Sequence, residues 1–409
     1  MKKIALIGAS VRALEMFLKP MLEDTYTGHV TPVGIYDINH KRSEYIGQRH
    51  GVPVYRDAAD MLRQSGADTV LVTTVDGTHH EYIIQALEAG CNVITEKPMT
   101  IDAEKGRAIL AAERKSGKKV TVTFNYRYAL FNTKIKELIR SGILGDVYSV
   151  HFEWMLDRNM DVLAHGTSYF RRWNRYMLKS GGLLVHKSTH HFDLVNWWLD
   201  DAPQTVSAFG ELRRYGKNGP FRGENCRVCN HKNECEFYHK LDDFAMAFYA
   251  DAEDVDGYYK DGCVFAQDID IYDTMAVSVR YQKGALLSYS LNAHVPYEGW
   301  RLSVNGSKGR LEAYQPESGL GSKINAWQIK LFDLNDNITT IKVPAIRKGH
   351  GGGDKRLQYD VFIGRDNDPL GHQAGAVAGM NSIIIGAAGN ISIREKRMVE
   401  IADLWPERA

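Results

Sequence analysis

The tripeptide Glu96-Lys97-Pro98 puts an amine where α/β proteins bind their ligands. It follows the apolar run Val93-Ile94-Thr95, which predicts a buried strand. Lys97 is therefore expected at the carboxyl end of a strand, and open α/β sheets bind ligands at that edge. Its ammonium is a mobile proton donor beside a rigid proline, so we predict that Lys97 is catalytic. The alternative is a charged loop after a strand.

A second group of polar residues lies in an apolar segment that starts at Gly181 and predicts a helix. On one helix, His186, His190 and Asp193 would share a face, because they are spaced i, i+4 and i+7. Lys187 and His191 would form a neighbouring pair. Such a row of protonatable side chains suits the removal of a hydroxyl proton as a hydride leaves the same carbon. The alternatives are a metal-binding histidine pair, helix caps or core histidines.

The first strand is followed by a degenerate dinucleotide-binding fingerprint, G-x-G-x-x-G/A. Gly8 keeps the tight turn, Ser10 replaces the second glycine and Ala13 takes the third position. The following helix would offer the backbone amides of Ser10, Val11 and Arg12 to a pyrophosphate. The alternative is a plain strand–helix turn.

Asp37 ends the second predicted strand, 24 residues after Ala13. A carboxylate at this place binds the adenosine ribose hydroxyls and repels a 2′-phosphate, so NAD is favoured over NADP. Lys41 and Arg42 lie close by and would weaken that preference. Asp37 as a simple turn residue is the alternative.

The elements that must position these residues divide the chain in two, as a length of 409 residues suggests. Residues 1–124 alternate strand and helix, which predicts a doubly wound parallel sheet of the Rossmann type. Its predicted strands are Ile4–Ile7, Val33–Tyr36, Thr69–Val72, Val93–Thr95 and Val120–Phe124.

Residues 125–409 predict an α+β domain that binds substrate and carries a large, open, mostly antiparallel sheet. An irregular insertion interrupts it from about residue 215 to 269. Its predicted strands are Val147–Trp154, Thr205–Glu211, Met275–Tyr281, Ala285–Asn292, Arg301–Asn305, Gly309–Ala313 and Ala326–Phe332.

Composition excludes several classes of partner. The 51 basic residues nearly balance 50 acidic ones, so no net charge favours nucleic acid or an anionic membrane. No apolar run is expected to reach the roughly 20 residues that span a bilayer. The chain enters a strand at once, which leaves no room for a signal peptide, and five cysteines do not suggest a disulfide scaffold. We expect a cytoplasmic enzyme.

The irregular insertion contains a cysteine cluster, and three thiols in ten residues of a cytoplasmic chain indicate metal ligands. Tetrahedral zinc needs a fourth ligand, for which Cys263 is preferred over His239. We predict a structural zinc at Cys226, Cys229, Cys235 and Cys263. An iron–sulfur cluster and free buried thiols are the alternatives.

A segment rich in aromatic and basic residues, from His165 to Arg175, precedes the predicted catalytic helix. Rings stack on pyranose faces, and arginine or asparagine forks bind hydroxyls. Arg172 and Trp173 are therefore predicted to bind a sugar. A basic surface loop with one core tryptophan is the alternative.

These motifs together resemble the Gfo/Idh/MocA family of sugar and inositol oxidoreductases over essentially the whole chain. The resemblance rests on the Gly8 turn, Thr74-Val75-Asp76-Gly77-Thr78-His79, Glu96-Lys97-Pro98, Asn125-Tyr126-Arg127-Tyr128 and the segment from Gly181 to Asp193. It implies a Rossmann domain joined to an α/β domain whose open sheet often forms the interface of a homodimer or homotetramer.

The resemblance also implies residue roles. Lys97, whose peptide bond to Pro98 is cis in many members, would bind the substrate hydroxyl and help its proton leave. His190 would be the acid/base. The family usually has an aspartate four residues earlier, where this chain has His186, so two histidines or Lys187 would complete the relay. Cofactor contacts would come from Thr73, Thr74, His79, Glu96 and Asn125, and substrate contacts from Arg127, His186, His190 and Asp193.

We therefore predict an NAD-dependent oxidoreductase that takes a hydride from a secondary hydroxyl of a sugar, inositol or glycoside. A second hypothesis is a glycosidase that oxidises its substrate transiently with a tightly bound, recycled NAD. A third is a cofactor-binding regulator without turnover, which the intact Lys97 argues against.

Overall fold

A six-stranded sheet forms the first half of the molecule in the computed structural model, which describes residues 1–23, 25–158, 165–319 and 323–408. The strand order is β14-β5-β4-β3-β1-β2, and all neighbours are parallel except the β14–β5 pair. The strands are β1 (Lys2–Ile7), β2 (Val30–Tyr36), β3 (Thr69–Val72), β4 (Asn92–Thr95), β5 (Val120–Val122) and β14 (Ala374–Gly375).

Helices cover both faces of this sheet, as short parallel strands with buried centres require. The first helix, α1, contains a π-helical segment before its last turn. The helices are α1 (Ala13–Leu18, continued by Lys19–Met21), α2 (His40–His50), α3 (Ala58–Gln64), α4 (His79–Glu88) and α5 (Ala103–Ser116).

The second sheet has nine strands in the order β13-β12-β11-β10-β6-β9-β8-β7-β15. Its described pairs are antiparallel, except that β6 and β9 run parallel. Burial alternates strictly along β8, so one face is covered. The strands are β6 (Val147–Asp157), β7 (Pro203–Glu211), β8 (Thr274–Tyr281), β9 (Leu286–Val295), β10 (Gly299–Gly306), β11 (Gly309–Pro316), β12 (Ala326–Asp333), β13 (Ile338–Pro344) and β15 (Val399–Glu400).

The helices of the second domain cover this sheet, belong to the insertion or, in the case of the helix that contains Leu357 and Phe362, pack on the first domain. They are α6 (Leu130–Arg140), α7 (His165–Arg171), α8 (Met177–Ser180), α9 (Gly182–His186), α10 (Thr189–Leu199), α11 (Asp243–Phe248), α12 (Glu253–Asp256), α13 (Gly349–Phe362), α14 (Ala376–Glu395) and α15 (Ile401–Leu404). The two sheets and the predicted fold class, a Rossmann domain with a second domain built on a mostly antiparallel sheet, are thus confirmed.

The segment that contains His186 and His190 is not the single helix that the sequence predicts. It is broken after His186 into α9 and α10, and the N–H groups of Lys187 and Ser188 both donate to the Leu183 carbonyl. The break turns neighbouring side chains in different directions. Ser188 binds the Tyr289 hydroxyl at 2.9 Å, whereas Lys187 reaches the Tyr126 hydroxyl.

Helix α14 corrects the expectation that no apolar stretch reaches the length of a membrane span. It has 20 residues and is apolar enough to cross a bilayer by length and composition, but 67% of the apolar stretch is buried inside the protein. It packs against β7, α9 and α10 of the second domain and against α5 of the first. We describe it as the core helix that joins the two domains.

The structure does not support the structural zinc predicted at Cys226, Cys229, Cys235 and Cys263. Across the described ranges, no group of three or more His, Cys, Asp or Glu side chains is arranged to hold a metal ion. The four cysteines line one small cavity, but their sulfurs meet other donors. Cys226 Sγ accepts from Arg171 Nη1 at 3.0 Å, and Cys263 Sγ accepts from the Phe265 N–H at 3.4 Å.

Aromatic packing joins distant parts of the insertion. Tyr215 stacks on Phe170 with ring centroids 4.1 Å apart, and Phe237 lies 5.7 Å from Tyr215 and 5.6 Å from Phe265. Tyr215, Phe237 and Phe265 are all buried. Such large rings bury enough apolar surface to hold an irregular segment in place.

The close contact between α14 and α9 predicts opposite effects for two glycine substitutions. A Cβ at Gly386 would lie 2.3 Å from the Leu184 carbonyl oxygen, which is backbone, whereas a Cβ at Gly389 would meet side chains, the Leu184 Cδ1 at 3.1 Å and the Ala208 Cβ at 3.7 Å. Gly386→Ala should cost about 1–3 kcal/mol in the free energy of unfolding. Gly389→Ala should be neutral or stabilise the helix by up to about 1 kcal/mol. Urea unfolding measures both, and equal effects would contradict the packing described.

Candidate active site

The glycine turn after β1 has the geometry of a nucleotide-binding loop. Gly8 has φ +105°, and a Cβ there would lie 2.7 Å from the carbonyl carbon of Thr73, so only glycine fits. The Thr73 hydroxyl donates to the Gly8 carbonyl at 2.8 Å. Thr73 therefore fixes the loop from the neighbouring strand.

Asp37 lies at the end of β2 and holds the same loop. Its carboxylate accepts from the N–H of Ala9 at 2.6 Å and from the N–H of Asn39 at 2.7 Å. Burial raises the pKa of Asp37, and Arg42 and these two N–H groups lower it. A carboxylate at this strand end has the chemistry to bind ribose hydroxyls.

Ser10 and Arg12 prepare the helix N-terminus and tie it to the strand of Lys97. The Ser10 Oγ accepts from the Ala13 N–H at 3.0 Å, so its proton is left to donate. Arg12 Nε binds Glu96 Oε1 at 2.8 Å. A glycine cradle, a helix N-terminus and a ribose-side carboxylate fit a dinucleotide, so residues 8–12 and Asp37 would hold NAD.

Thr74 and His79 brace the loop that follows β3. The buried His79 ring has one nitrogen 2.9 Å from the Pro98 carbonyl oxygen and the other 3.1 Å from the Thr74 carbonyl oxygen. Burial lowers its pKa. A neutral ring donates from one nitrogen only, so His79 binds one of these two carbonyls, lies against the other and positions the loop next to Pro98.

Lys97 lies where the two domains meet. Its peptide bond to Pro98 is cis, as the resemblance implies. Its Nζ donates to the backbone carbonyl of His186 at 3.2 Å. Burial lowers the pKa of Lys97 to about 8, although Glu96 and Asp76 act in the opposite direction. This amine therefore loses its proton far more easily than an exposed lysine.

His186 forms an acid–histidine pair with Asp76, a residue that sequence reasoning quoted in a motif but did not select. His186 Nδ1 lies 2.5 Å from Asp76 Oδ2, and Asn174 Nδ2 lies 3.2 Å from His186 Nε2. The Asn174 amide donates to Nε2, so we assign the proton of the neutral ring to Nδ1. Burial lowers the pKa of His186 and raises that of Asp76.

His190 stacks on the phenol of Tyr126, with ring centroids 4.1 Å apart and planes 11° from parallel. Its Nδ1 is buried without a hydrogen-bond partner among the described residues. Burial, together with the charges of Lys97 and Lys187, lowers the pKa of His190 well below its usual value. The imidazole is therefore neutral and can accept a proton.

The pKa of Lys187 is shifted in the opposite direction to that of Lys97. Its Nζ donates to the Tyr126 hydroxyl at 3.1 Å and lies 4.9 Å from the centre of the Trp154 ring. Burial opposes its charge, but the phenols of Tyr126 and Tyr169 and the carboxylate of Glu298 raise its pKa. Lys187 is thus a fixed cation, suited to electrostatics rather than to proton transfer.

Arg127 and Asp193, both predicted to bind substrate, are engaged with each other in the interior. Arg127 Nε and Nη2 bind the two Asp193 oxygens at 2.7 and 2.6 Å. Arg127 Nη1 donates to the Gly371 carbonyl at 2.9 Å. Because every nitrogen of the guanidinium is taken in this buried pair, we assign both residues a structural role. Spacing along the chain could not reveal this partnership.

Asn125 belongs to a polar group that the sequence analysis did not find. Its Nδ2 donates to Asp354 Oδ1 at 2.6 Å, and His350 Nδ1 lies 2.9 Å from Asp354 Oδ2. His350 has φ +50° and is followed by Gly351 and Gly352, also left-handed, which brings its ring to 5.7 Å from the Tyr126 ring. The run Gly-His-Gly-Gly-Gly was the available signal.

Aromatic and charged residues complete the substrate side. Trp173 and Tyr169 pack edge-on against the His186 ring at 5.6 and 5.2 Å. The guanidinium of Arg172 lies 5.7 Å from the Tyr169 ring centre. The fully buried Glu298 binds His165 at 2.7 Å, and its second oxygen has no partner among the described residues.

Two family models match the chain. Residues 2–124 match an oxidoreductase family with an NAD-binding Rossmann fold, and residues 136–401 match the C-terminal alpha/beta domain of an oxidoreductase family.

One curated relative matches over the whole chain, and two others match over less than half of it. YteT of Bacillus subtilis (strain 168) is 39% identical over 431 aligned residues, which cover 99% of both chains. D-glucoside 3-dehydrogenase of Escherichia coli (strain K12) is 32% identical over 168 residues, 41% of this chain and 46% of that protein. An inositol 2-dehydrogenase of Klebsiella pneumoniae (strain 342) is 31% identical over 179 residues, 43% and 49% of the two chains.

Solved structures share the fold. An oxidoreductase from Agrobacterium radiobacter in complex with NAD⁺, L-tartaric acid and magnesium aligns with a TM-score of 0.67 at 16% identity, covering 98% of this chain and 99% of that one. The WlbA dehydrogenase from Bordetella pertussis in complex with NADH and UDP-GlcNAcA aligns with a TM-score of 0.65 at 17% identity, covering 98% of both.

The buried Arg127–Asp193 pair predicts a stability defect rather than a binding defect. Asp193→Asn leaves the Arg127 charge buried without its counter-ion, which should cost about 3–5 kcal/mol in the free energy of unfolding. Replacing both residues, as Arg127→Met with Asp193→Leu, should recover most of the loss. Urea unfolding of the three variants measures this. A stable Asp193→Asn protein with weakened sugar binding would instead indicate a substrate contact.

Proposed function

This chain belongs to the Gfo/Idh/MocA oxidoreductase family, and we propose that it moves a hydride from a secondary hydroxyl of a sugar, inositol or glycoside to NAD. The observation that carries the proposal is the meeting of three groups at the domain junction. They are the amine of Lys97, the neutral imidazole of His190 and the Asp76–His186 pair.

In the proposed reaction, Lys97 binds the oxygen of the reacting hydroxyl. Its ammonium donates to that oxygen and stabilises the negative charge that develops there as the proton leaves. The neutral imidazole of His190 takes the proton. When bound, NAD supplies the nicotinamide that accepts the hydride. The His186 carbonyl, which accepts from Lys97 Nζ, keeps the amine in place.

Lys187 and the Asp76–His186 pair support this step without moving the proton. The fixed charge of Lys187 disfavours a positive charge on His190, so the imidazole is unprotonated before the reaction and does not retain the proton that it takes. Asp76 orients the His186 ring through Nδ1, and the side chain of Asn174 contacts its other nitrogen. The His186 ring, oriented in this way, packs edge-on against Trp173 and Tyr169.

A carbohydrate or polyol is the proposed substrate class. Trp173 and Tyr169 offer faces and edges of the kind that pack on sugar rings, and Arg172 offers a polar fork beside them. The partly matching relatives named D-glucoside 3-dehydrogenase and inositol 2-dehydrogenase support the same class.

Lys97→Met tests the proposal. It should lower kcat for sugar or polyol oxidation by about 10²–10⁴-fold, because it removes the donor to the reacting oxygen, while the affinity for NAD changes little. Lys115→Met, an exposed lysine on α5, is the matched control and should keep full activity. NADH absorbance across a panel of sugars, polyols and glycosides gives kcat. Wild-type protein that binds NAD but reduces none with the whole panel would contradict the dehydrogenase.

The pH profile separates a catalytic Lys97 from a merely structural one. Burial lowers its pKa to about 8, so the ammonium is present below that pH and lost above it, and kcat/KM should fall as the pH rises through about 8. Lys97→Arg keeps its charge and should move this limb to higher pH. A limb that does not move would assign the titration to another group.

A second candidate is a glycosidase that oxidises and re-reduces its substrate with a retained NAD. The observation that favours it is the cover over the adenosine side of the cleft, where the Asn39 amide donates to the Ala252 carbonyl of the insertion at 2.8 Å. This candidate predicts NAD bound through purification, and release of a free sugar from a glycoside without net NADH. Cofactor lost on simple dialysis, with stoichiometric NADH from the substrate, would favour the dehydrogenase.

A further inference from the structure

The insertion of the second domain reaches across to the Rossmann domain, at the end of β2 that carries Asp37. The Asn39 amide donates to Ala252 in a buried hydrogen bond. Lys41 Nζ pairs with Asp254 at 2.8 Å, and Arg42 pairs with Asp256. Three consecutive polar contacts therefore join residues 252–256 to the first turn of α2.

Apolar contacts strengthen this junction. The ring of Tyr45, on α2, lies 5.2 Å from the Phe248 ring and 6.1 Å from the Phe244 ring. Phe248 and Tyr249 are buried in one hydrophobic cluster with Ile35 of β2 and other residues of the Rossmann domain. The insertion is thus packed on the cofactor-binding domain and does not project as a separate lobe.

Tyr249 and Lys260 carry polar groups to the phosphate end of the same cleft. Tyr249 is buried in the same hydrophobic cluster as Ala9 and Ala13, which flank the start of the helix after the Gly8 turn. Lys260 Nζ lies 4.8 Å from the Tyr249 ring centre. In the described ranges Lys260 forms no ion pair. Burial and the charges of Arg172 and Arg171 lower its pKa to about 7, which means that a nearby anion would stabilise its charged form.

We propose that residues 249–260 of the insertion are part of the cofactor site. Tyr249 and Lys260 bind the pyrophosphate together with the helix N-terminus, and Asp254 and Asp256 enforce NAD over NADP. The inference rests on the proposed NAD-binding function but assigns new residues to it. A helix N-terminus and a lysine ammonium are complementary to a diphosphate.

The preference for NAD over NADP follows from charge. A 2′-phosphate at the ribose near Asp37 would need a free cation, and Lys41 and Arg42 are the basic residues that the sequence places there. Both are already paired with carboxylates of the insertion, and Arg42 also lies 3.6 Å from Asp37. From the sequence, Lys41 and Arg42 are expected to weaken the preference for NAD. Because the insertion pairs both with carboxylates, they no longer do so.

Titration calorimetry of the full chain with NAD tests the pyrophosphate contact. Lys260→Met should raise the Kd for NAD by about tenfold or more, the loss expected for a charge-assisted hydrogen bond. Tyr249→Phe should raise it less and keeps the ring packing. Lys217→Met, an exposed lysine of the same insertion, is the matched control. An unchanged Kd in Lys260→Met protein of normal stability would overturn the contact.

The preference for NAD over NADP is tested with a double variant, Asp254→Asn with Asp256→Asn. Freeing both cations should shift the ratio of the NADP and NAD affinities toward NADP by about tenfold, and Asp243→Asn, an exposed carboxylate of α11, should leave the ratio unchanged. An unchanged ratio in the double variant would overturn the specificity role. Both experiments measure cofactor binding and not turnover. The inference can therefore hold in a protein that oxidises no sugar of the panel, and it can fail in a protein that is an active dehydrogenase.

Discussion

The geometry of the site depends on one contact between the domains, the 2.5 Å hydrogen bond between His186 and Asp76. Asp76 follows β3 of the first sheet, and His186 ends α9 of the second domain. Lys97 then donates to the backbone carbonyl of the same histidine. The amine of one domain and the histidine that we propose as the acid/base of the other are therefore held close together, as proton transfer over hydrogen-bond distance requires.

Burial then decides which groups are charged. It lowers the pKa of Lys97 to about 8 and that of His190 well below its usual value, so both lie in states that can exchange a proton with a substrate hydroxyl near neutral pH. Lys187, equally enclosed, keeps its charge because phenols and Glu298 surround it. Two buried lysines thus differ in pKa because their neighbours differ.

The sequence predicted what depends on local pattern. The alternation of β8 and the glycine turn at Gly8 are local properties of the chain, and both lie as predicted. The break after His186 was not predicted, because its causes are distant partners such as Asp76 and Tyr289. The same holds for β14 and β15, two residues each, which exist only through their pairing partners.

Two differences between the sequence predictions and the structure share a physical origin. The cysteine spacing indicated zinc, yet the donor at Cys226 Sγ is Arg171, which lies 55 positions away in sequence. Arg127 and Asp193 each suited a sugar hydroxyl, yet they bind each other across 66 positions. A polar side chain binds the partner that lies nearest in space. Local sequence patterns cannot identify that partner when only the fold brings the two residues together.

The most direct measurement is a crystal structure of the chain with NAD and a bound sugar or polyol found by panel screening. The account predicts one secondary hydroxyl oxygen within hydrogen-bond distance of both Lys97 Nζ and the His190 imidazole, with the sugar ring beside Trp173. A sugar whose hydroxyls contact neither Lys97 nor His190 would contradict it.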